Sequence, residues 1–233
     1  MSTLTHPSRV DTTRRHSRVA VIVGSALTVI AAAGVPIREP LFLAVAGAAE
    51  GSALAPAVSL VAKAGLLVLV AMTASIAAWS IRGDRGAFRT LLVAGVGVVA
   101  AYTLSEGIKL LVTEERPCRG LDIATLLACP ESGDWSWPSN HATLAAAFAT
   151  ACALALPRSL WLGAPAALLV ASSRVGAGVH YVHDVVAGLA LGTLTVAVAV
   201  LAASAVLHRR AGAATAAGST PGDASTSSRH GAP

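Results

Sequence analysis

A run of ionisable side chains interrupts the apolar second half of the chain between Ser173 and Asp184. Arg174, His180 and Asp184 lie in this segment, and its flanks are almost entirely Ala, Val, Leu and Gly. If the chain is helical from His180 onward, the imidazole and Asp184 lie one turn apart on the same face. The carboxylate can then hold one ring nitrogen and leave the other free to attack an electrophile. The alternative is a capped helix start with an incidental histidine.

A second polar segment, Pro138-Ser139-Asn140-His141, immediately precedes another apolar run and should form the amino terminus of a helix. The free backbone N–H groups and the positive end of the helix dipole favour an anion there. Ser139 can add its hydroxyl group to such a site. The ordinary interpretation is that Ser139 or Asn140 caps the helix, and both roles can hold together.

A third polar segment supplies cations, with Lys109 near the end of an apolar run and Arg116-Pro117 shortly after it. Taken alone, Lys109 would be a snorkelling side chain at a helix end and Arg116 a solvated loop charge. Together with Arg174 they form a set that suits a phosphate group. Arginine contacts phosphate through its bidentate fork, and lysine acts as a point charge.

In this order, the three segments resemble the signature of the type 2 phosphatidic acid phosphatase superfamily, K-x6-R-P, P-S-G-H and S-R-x5-H-x3-D. The first and third parts match in residue type and spacing, and Asn140 stands where the family most often has glycine. This departure affects the closest backbone approach to a phosphate. We expect activity to survive it, because asparagine tolerates strained turn conformations.

The resemblance implies a helical bundle with a metal-independent phosphate site and a covalent phosphohistidine intermediate. In that mechanism His180 attacks phosphorus, Asp184 orients it, and His141 protonates the departing oxygen. We expect no metal and no other cofactor, and we leave His183 out of the site because it is turned roughly 100° from the face of Asp184. The residues predicted to bind phosphate are Lys109, Arg116, Ser139, Asn140 and Arg174.

The composition predicts that these segments lie in an integral membrane protein. Hydrophobic residues make up 55% of the 233 residues and charged residues only 12%, whereas soluble domains carry roughly 25% charged residues. The formal charge of +5 comes without a dense basic run interleaved with aromatic residues, so we predict no nucleic-acid partner.

Long apolar runs predict an all-α bundle of about six transmembrane helices within residues 19–207, between disordered tails at 1–18 and 208–233. A short interfacial helix is expected near 41–49. The first run could instead be a signal peptide, but its length favours a retained helix. The six runs are residues 19–35, 57–80, 90–109, 141–156, 160–172 and 185–207.

The basic residues predict the orientation of this bundle in the plasma membrane. With six crossings, the arginines of the amino-terminal tail, the 82–89 turn, Arg158 and Arg209-Arg210 share one face, which the positive-inside rule assigns to the cytoplasm. The polar loop 113–139 then lies on the extracytoplasmic face with the site. On that oxidising side we predict a disulfide between Cys118 and Cys129.

These observations favour a membrane phosphatase acting on a lipid phosphate or a polyprenyl diphosphate at the outer leaflet. A lipid or ion transporter, or a lipid-binding protein with a non-catalytic anion site, is the alternative. A vanadate-dependent haloperoxidase would share the phosphate-site motifs, but the apolar spans argue against a soluble enzyme. Lys63 and Glu106 either face the site or pair within the bundle.

Overall fold

The computed structural model describes residues 9–218, and every regular element in that range is a helix. The tail predictions for residues 1–8 and 219–233 lie outside the described residues. Two single turns of 3₁₀-helix, Val35–Ile37 and Pro157–Ser159, join longer helices. The α-helices are α1 (Arg9–Gly34), α2 (Arg38–Glu50), α3 (Ala55–Gly83), α4 (Arg85–Val112), α5 (Pro117–Gly120), α6 (Asn140–Ala155), α7 (Leu160–Gly176) and α8 (Val182–Gly218).

All six predicted apolar runs fall on helices, namely α1, α3, α4, α6, α7 and α8, and α2 covers the short helix expected near 41–49. Two boundaries differ from the prediction. Helix α1 begins at Arg9, where the arginine pairs with Asp84 of the α3–α4 turn. Helix α8 continues through the alanine-rich residues 211–217, because alanine has the highest helix propensity. The disorder predicted for 9–18 and 208–218 is therefore corrected to helix.

The protein is a multi-pass membrane protein by the length and composition of its helices. Four described segments are long and apolar enough to cross a bilayer: Arg9–Glu50, Ala55–Gly83, Arg85–Gly120 and Val182–Leu207. Helices α6 and α7 have 16 and 17 residues, fewer than the roughly 20 that a perpendicular span needs. The six-fold crossing therefore stays a prediction for these two helices.

Helix α6 lies inside the bundle and packs directly against the backbone of α8. A Cβ atom on Gly192 would lie 2.1 Å from the Thr143 carbonyl oxygen, and one on Gly188 would lie 2.6 Å from that of Ser139. Only glycine at these two α8 positions permits such an approach, as in other small-residue helix contacts in membranes. The amino termini of the two helices are consequently held together, and the Ser139 N–H donates to the Asp184 carbonyl at 3.1 Å.

The loop between α4 and α6 folds over the α7–α8 turn. The Leu126 N–H donates to the Ala177 carbonyl at 3.2 Å, and Gly178 takes a φ of +83°, which a residue with a side chain rarely adopts. The predicted Cys118–Cys129 disulfide is confirmed within this loop. The carboxyl ends of α4 and α7 and the amino ends of α6 and α8 therefore meet beneath one covering loop.

Candidate active site

His180 lies in the α7–α8 turn, two residues before α8 begins, so the helix does not include it. Its Nδ1 atom is nevertheless 3.3 Å from Asp184 Oδ2. Asp184 is the third residue of α8, and its Oδ2 also accepts the Tyr181 N–H at 2.8 Å, which is the backward bond of a capping box. The helix-cap interpretation and the orienting role of the carboxylate are thus compatible in one side chain.

The other ring nitrogen of His180 faces Arg116. His180 Nε2 lies 2.9 Å from Arg116 Nη1, so the ring is placed to carry its proton on Nδ1 and keep a lone pair on Nε2. Burial, reinforced by the charges of Arg116, Arg174 and Lys109, lowers the pKa of His180 well below its ordinary value. The imidazole is therefore neutral near pH 7, as a nucleophile must be.

Ser136 is a site residue that the sequence motifs did not include. Its side chain is fully buried, and its Oγ donates to Asp184 Oδ2 at 2.5 Å and lies 3.3 Å from His180 Nδ1. The Ser136 N–H donates to the Glu114 carbonyl at 2.7 Å. The sequence shows Ser136 only as a serine between two tryptophans, just before Pro138-Ser139. That pattern does not indicate that the loop folds back and brings this side chain to Asp184.

Arg116 and Lys109 converge on a carboxylate of the loop, Asp134. Arg116 Nη2 lies 2.9 Å from Asp134 Oδ1, and Lys109 Nζ lies 3.4 Å from the same oxygen. Partial burial alone would raise the pKa of Asp134, but the hydrogen bonds and charges of Arg116 and Lys109 hold that pKa below its ordinary value. An anion thus already occupies the position where these two cations would meet a phosphate oxygen.

Arg174, at the end of α7, is buried beside the same cluster. Its Nη1 donates to the Ala62 carbonyl at 3.2 Å, while its Nε has no hydrogen-bond partner among the described residues. A buried donor without a partner is costly unless a ligand satisfies it. Arg174 is therefore placed to donate to an anion in this site.

The side chains of Ser139 and Asn140, at the start of α6, differ in their partners, and the phosphate contact predicted for each stays a prediction. Ser139 Oγ is buried without a hydrogen-bond partner among the described residues. The Asn140 side chain turns to α4, where it accepts from Ser105 at 2.7 Å and donates to Glu106 at 2.5 Å. Only the backbone N–H of Asn140 is left for the predicted phosphate contact.

His141 follows in the first turn of α6, half-buried, where the charges of Arg174, Arg116 and Lys109 act on its imidazole. It therefore shares the electrostatic environment of the cations predicted to bind phosphate. Of the two residues left open by the sequence, Glu106 also lies here, 3.5 Å from Lys109 Nζ. Lys63 is exposed on α3.

His183, which was left out of the predicted site, contacts Asp184. It is buried, and its Nε2 lies 3.1 Å from Glu114 Oε2 and 3.2 Å from Asp184 Oδ1. His183 reaches Asp184 despite its rotation around the helix, because the two carboxylate oxygens face different neighbours, Oδ2 toward His180 and Oδ1 toward His183. Glu114, His183 and Asp184 each offer one atom that could bind a metal ion, and these three atoms lie within 4.8 Å of one another. The absence of a metal stays a prediction.

Comparison with known proteins yields one family. The model of the PAP2 superfamily matches residues 90–207, an interval that contains all three polar segments. An undecaprenyl-diphosphatase of Sulfolobus acidocaldarius is 37% identical over 42% of this chain and 48% of its own length. A decaprenylphosphoryl-5-phosphoribose phosphatase of Mycobacterium tuberculosis is 41% identical over 45% of this chain and 56% of its own.

A lipid A 1-phosphatase of Rhizobium johnstonii is 32% identical over 46% of this chain and 48% of its own length. The chain spans about half the length of these curated relatives. Among solved structures, a transmembrane PAP2-type phosphatidylglycerolphosphate phosphatase from Bacillus subtilis aligns with 87% of this chain and 96% of its own. The sequence identity is 22% and the TM-score is 0.45.

Proposed function

The chain belongs to the PAP2 superfamily, and we propose that it is a membrane phosphatase that hydrolyses a lipid phosphate or a polyprenyl diphosphate through a phosphohistidine on His180, without a metal. One observation carries the proposal. The buried His180 presents Nδ1 to Asp184 and Nε2 to Arg116, so the nitrogen that is free to react points at the cations that would hold phosphate.

In the first step, phosphate oxygens replace the Asp134 carboxylate beside Arg116 and Lys109. Arg174 Nε, Ser139 Oγ and the N–H groups at the start of α6 donate to the remaining oxygens. The His180 Nε2 lone pair then forms a bond to phosphorus. The bond from phosphorus to the lipid oxygen breaks, and His141 gives that oxygen a proton.

In the second step, the neutral His141 takes a proton from water as the water oxygen attacks phosphorus. The bond between phosphorus and Nε2 breaks, which frees inorganic phosphate and restores His180. Asp184 supports the positive charge on the imidazole while it carries the phosphoryl group, because the His180 Nδ1 proton points at its Oδ2. No step requires a metal ion.

The relatives favour a substrate whose phosphate is attached to a membrane lipid. Their names specify an undecaprenyl diphosphate, a decaprenylphosphoryl phosphoribose and lipid A. The apolar helices around the site suit a substrate whose tail stays in the bilayer. A prenyl diphosphate carrier is our first choice and phosphatidic acid or phosphatidylglycerol phosphate the next.

An extracytoplasmic site in the plasma membrane is the second part of the proposal. It is supported by Arg9, Arg85 and Arg89 at the opposite end of the bundle and by the Cys118–Cys129 disulfide beside the site. Thiol labelling of intact cells, followed by denaturation with and without a reductant, tests it. We expect Cys118 and Cys129 to label only after reduction, whereas labelling of both without a reductant would place the loop in the cytoplasm.

The central experiment measures phosphate release by purified wild type and His180→Ala in detergent with a chelator present. The substrates are a polyprenyl diphosphate and phosphatidic acid, and His16→Ala, at the other end of the bundle, is the matched control. We expect wild type and His16→Ala to release phosphate and His180→Ala to release none. Undiminished release by His180→Ala, or strict dependence on a divalent metal, would refute the mechanism. No release by wild type from any lipid phosphate would favour the transporter.

A further inference from the structure

A second buried imidazole contacts the catalytic carboxylate from the side opposite His180. His183 lies with its Nε2 3.1 Å from Glu114 Oε2 and 3.2 Å from Asp184 Oδ1. Its ring stacks on Tyr181, with centroids 5.6 Å apart. The His183 ring is thus held by Glu114 at one edge and by the Tyr181 ring at its face. A ring fixed in this way is suited to position its neighbour Asp184.

The two oxygens of Asp184 are supported unequally. Oδ2 accepts from Ser136 Oγ and the Tyr181 N–H and faces His180 Nδ1. Oδ1 is completely buried and has no hydrogen bond among the described residues. His183 Nε2 lies 3.2 Å from it, which is within ion-pair distance. A buried carboxylate oxygen without a donor is costly, and the contact with His183 Nε2 at 3.2 Å offsets part of that cost.

Glu114 connects both sides of this arrangement. Its backbone carbonyl accepts the Ser136 N–H at 2.7 Å, and Ser136 holds Oδ2. Its side chain accepts from His183, which faces Oδ1. Arg38 Nη1, 3.4 Å from Glu114 Oε1, fixes the outer oxygen of the glutamate. The residue follows Thr113, whose left-handed φ of 46° ends α4 and turns the chain toward the site.

We propose that Glu114 and His183 position the active site by holding the Asp184 carboxylate in the plane that His180 Nδ1 requires. This proposal rests on the phosphatase function proposed above. The two residues act through Asp184 rather than on substrate. Without the His183 imidazole, Oδ1 loses its contact with Nε2 in the interior, and the carboxylate turns toward another donor. His180 then loses its orientation, while Lys109, Arg116 and Arg174 keep their places.

The test compares His183→Gln, whose amide keeps an N–H near the position of Nε2, with His183→Leu, which removes it. For His183→Leu we expect kcat to fall about 10-fold or more with KM within about 2-fold of wild type. We expect His183→Gln to recover most of the loss. Glu114→Gln should lower kcat less, and the double variant Glu114→Gln/His183→Leu should be no worse than His183→Leu alone, because the two residues act in series.

His16→Leu and Glu50→Gln, a histidine and an exposed glutamate far from the pair, are the matched controls and should match wild type. Thermal unfolding in detergent identifies any variant that fails to fold. If His183→Leu fails, Glu114→Gln and His183→Gln still decide the question. A wild-type kcat for Glu114→Gln, or a KM rise as large as the kcat loss in any folded variant, would overturn the positioning role. Absence of release by wild type itself would instead refute the phosphatase function.

Discussion

Arg116 Nη1 lies 2.9 Å from His180 Nε2, so an arginine covers the nitrogen that is proposed to attack phosphorus. The same Nη1 donates to the Val179 carbonyl at 3.0 Å, and Nε donates to the Asp134 carbonyl at 2.8 Å. These backbone contacts fix the plane of the guanidinium from both sides. A phosphate that reacts here must displace the contact between Nη1 and Nε2, because 2.9 Å leaves no room for a phosphoryl group between them.

Replacing Arg116 by lysine should be nearly as damaging as replacing it by glutamine. A single ammonium group cannot contact Val179, Asp134 and a phosphate with the geometry of the guanidinium. We expect kcat/KM for lipid phosphate to fall about 10²- to 10³-fold in both variants. Arg158→Lys, at an exposed position at the opposite end of the bundle, is the control. If Arg116→Lys keeps more than half of the wild-type kcat/KM, the fork geometry of the guanidinium is not needed.

The pH dependence of kcat/KM should show a neutral His180. Protonation removes the Nε2 lone pair, so activity falls as the pH drops through the pKa of His180 in the folded protein. Burial, Arg116, Arg174 and Lys109 lower that pKa below 6.5, so the acid limb should lie below pH 6.5. In Arg116→Gln the charge of Arg116 is absent, so the acid limb should move to higher pH. If the profiles of wild type and Arg116→Gln between pH 4 and 8 coincide after scaling to the same maximum, this prediction is wrong.

Ser136→Ala should slow the reaction with little effect on substrate binding. The hydroxyl donates to Asp184 Oδ2 and has no place in the phosphate cradle. Loss of a hydrogen bond to a charged group predicts a fall in kcat of about 10-fold or more, with KM within about 2-fold. Ser172→Ala, an exposed serine of α7, should equal wild type. A change confined to KM would place Ser136 against substrate instead.

Asp134→Asn should tighten product inhibition. The carboxylate, 47% exposed, neutralises Arg116 and Lys109, and its lowered pKa keeps it anionic across the physiological range. An incoming phosphate competes with it for these cations. We expect the inhibition constant of inorganic phosphate to fall several-fold, because a fixed negative charge is removed from the site. Asp122→Asn in the same loop is the control, and weaker inhibition in Asp134→Asn would contradict the competition.

The sequence was sufficient for the helices and for the cations, because both depend on local patterns. Apolar runs near span length became α1, α3, α4 and α8, and Lys109, Arg116 and Arg174 are carried to one place by the ends of the helices beside them. The pairing of His180 with Asp184 was also predictable, since four residues at a helix start bring side chains together even when the first is outside the helix.

The unpredicted parts lie where the loop 113–139 folds back. Ser136, Asp134 and Glu114 meet His180, Arg116 and His183 only through tertiary contacts that no periodicity encodes. The side chain of Asn140 was not predictable either. Its position in the motif suggested phosphate binding, which stays a prediction, and its amide bonds to Ser105 and Glu106 of α4. Side-chain direction at a helix start depends on the neighbouring helix.

The contact between α6 and α8 should be needed for both stability and activity, and Gly192→Ala tests it. The new Cβ would lie 2.1 Å from the Thr143 carbonyl and 2.9 Å from the Ala147 nitrogen, and both are backbone atoms that move only if the helices separate. Overpacking of this kind costs about 1–3 kcal/mol. Separation also draws Ser139 and His141 away from Asp184, so we expect a lower unfolding temperature and slower phosphate release together.

Gly95→Ala on α4 is the matched control, because nothing lies within 4 Å of its Cβ position. An alanine in a helix interior is favoured over glycine by about 0.5–1 kcal/mol, so Gly95→Ala should unfold at the same or a higher temperature and keep full activity. If Gly192→Ala behaved like Gly95→Ala, α6 and α8 would not be in backbone contact. The helix start that carries His141 would then be positioned by the loop alone.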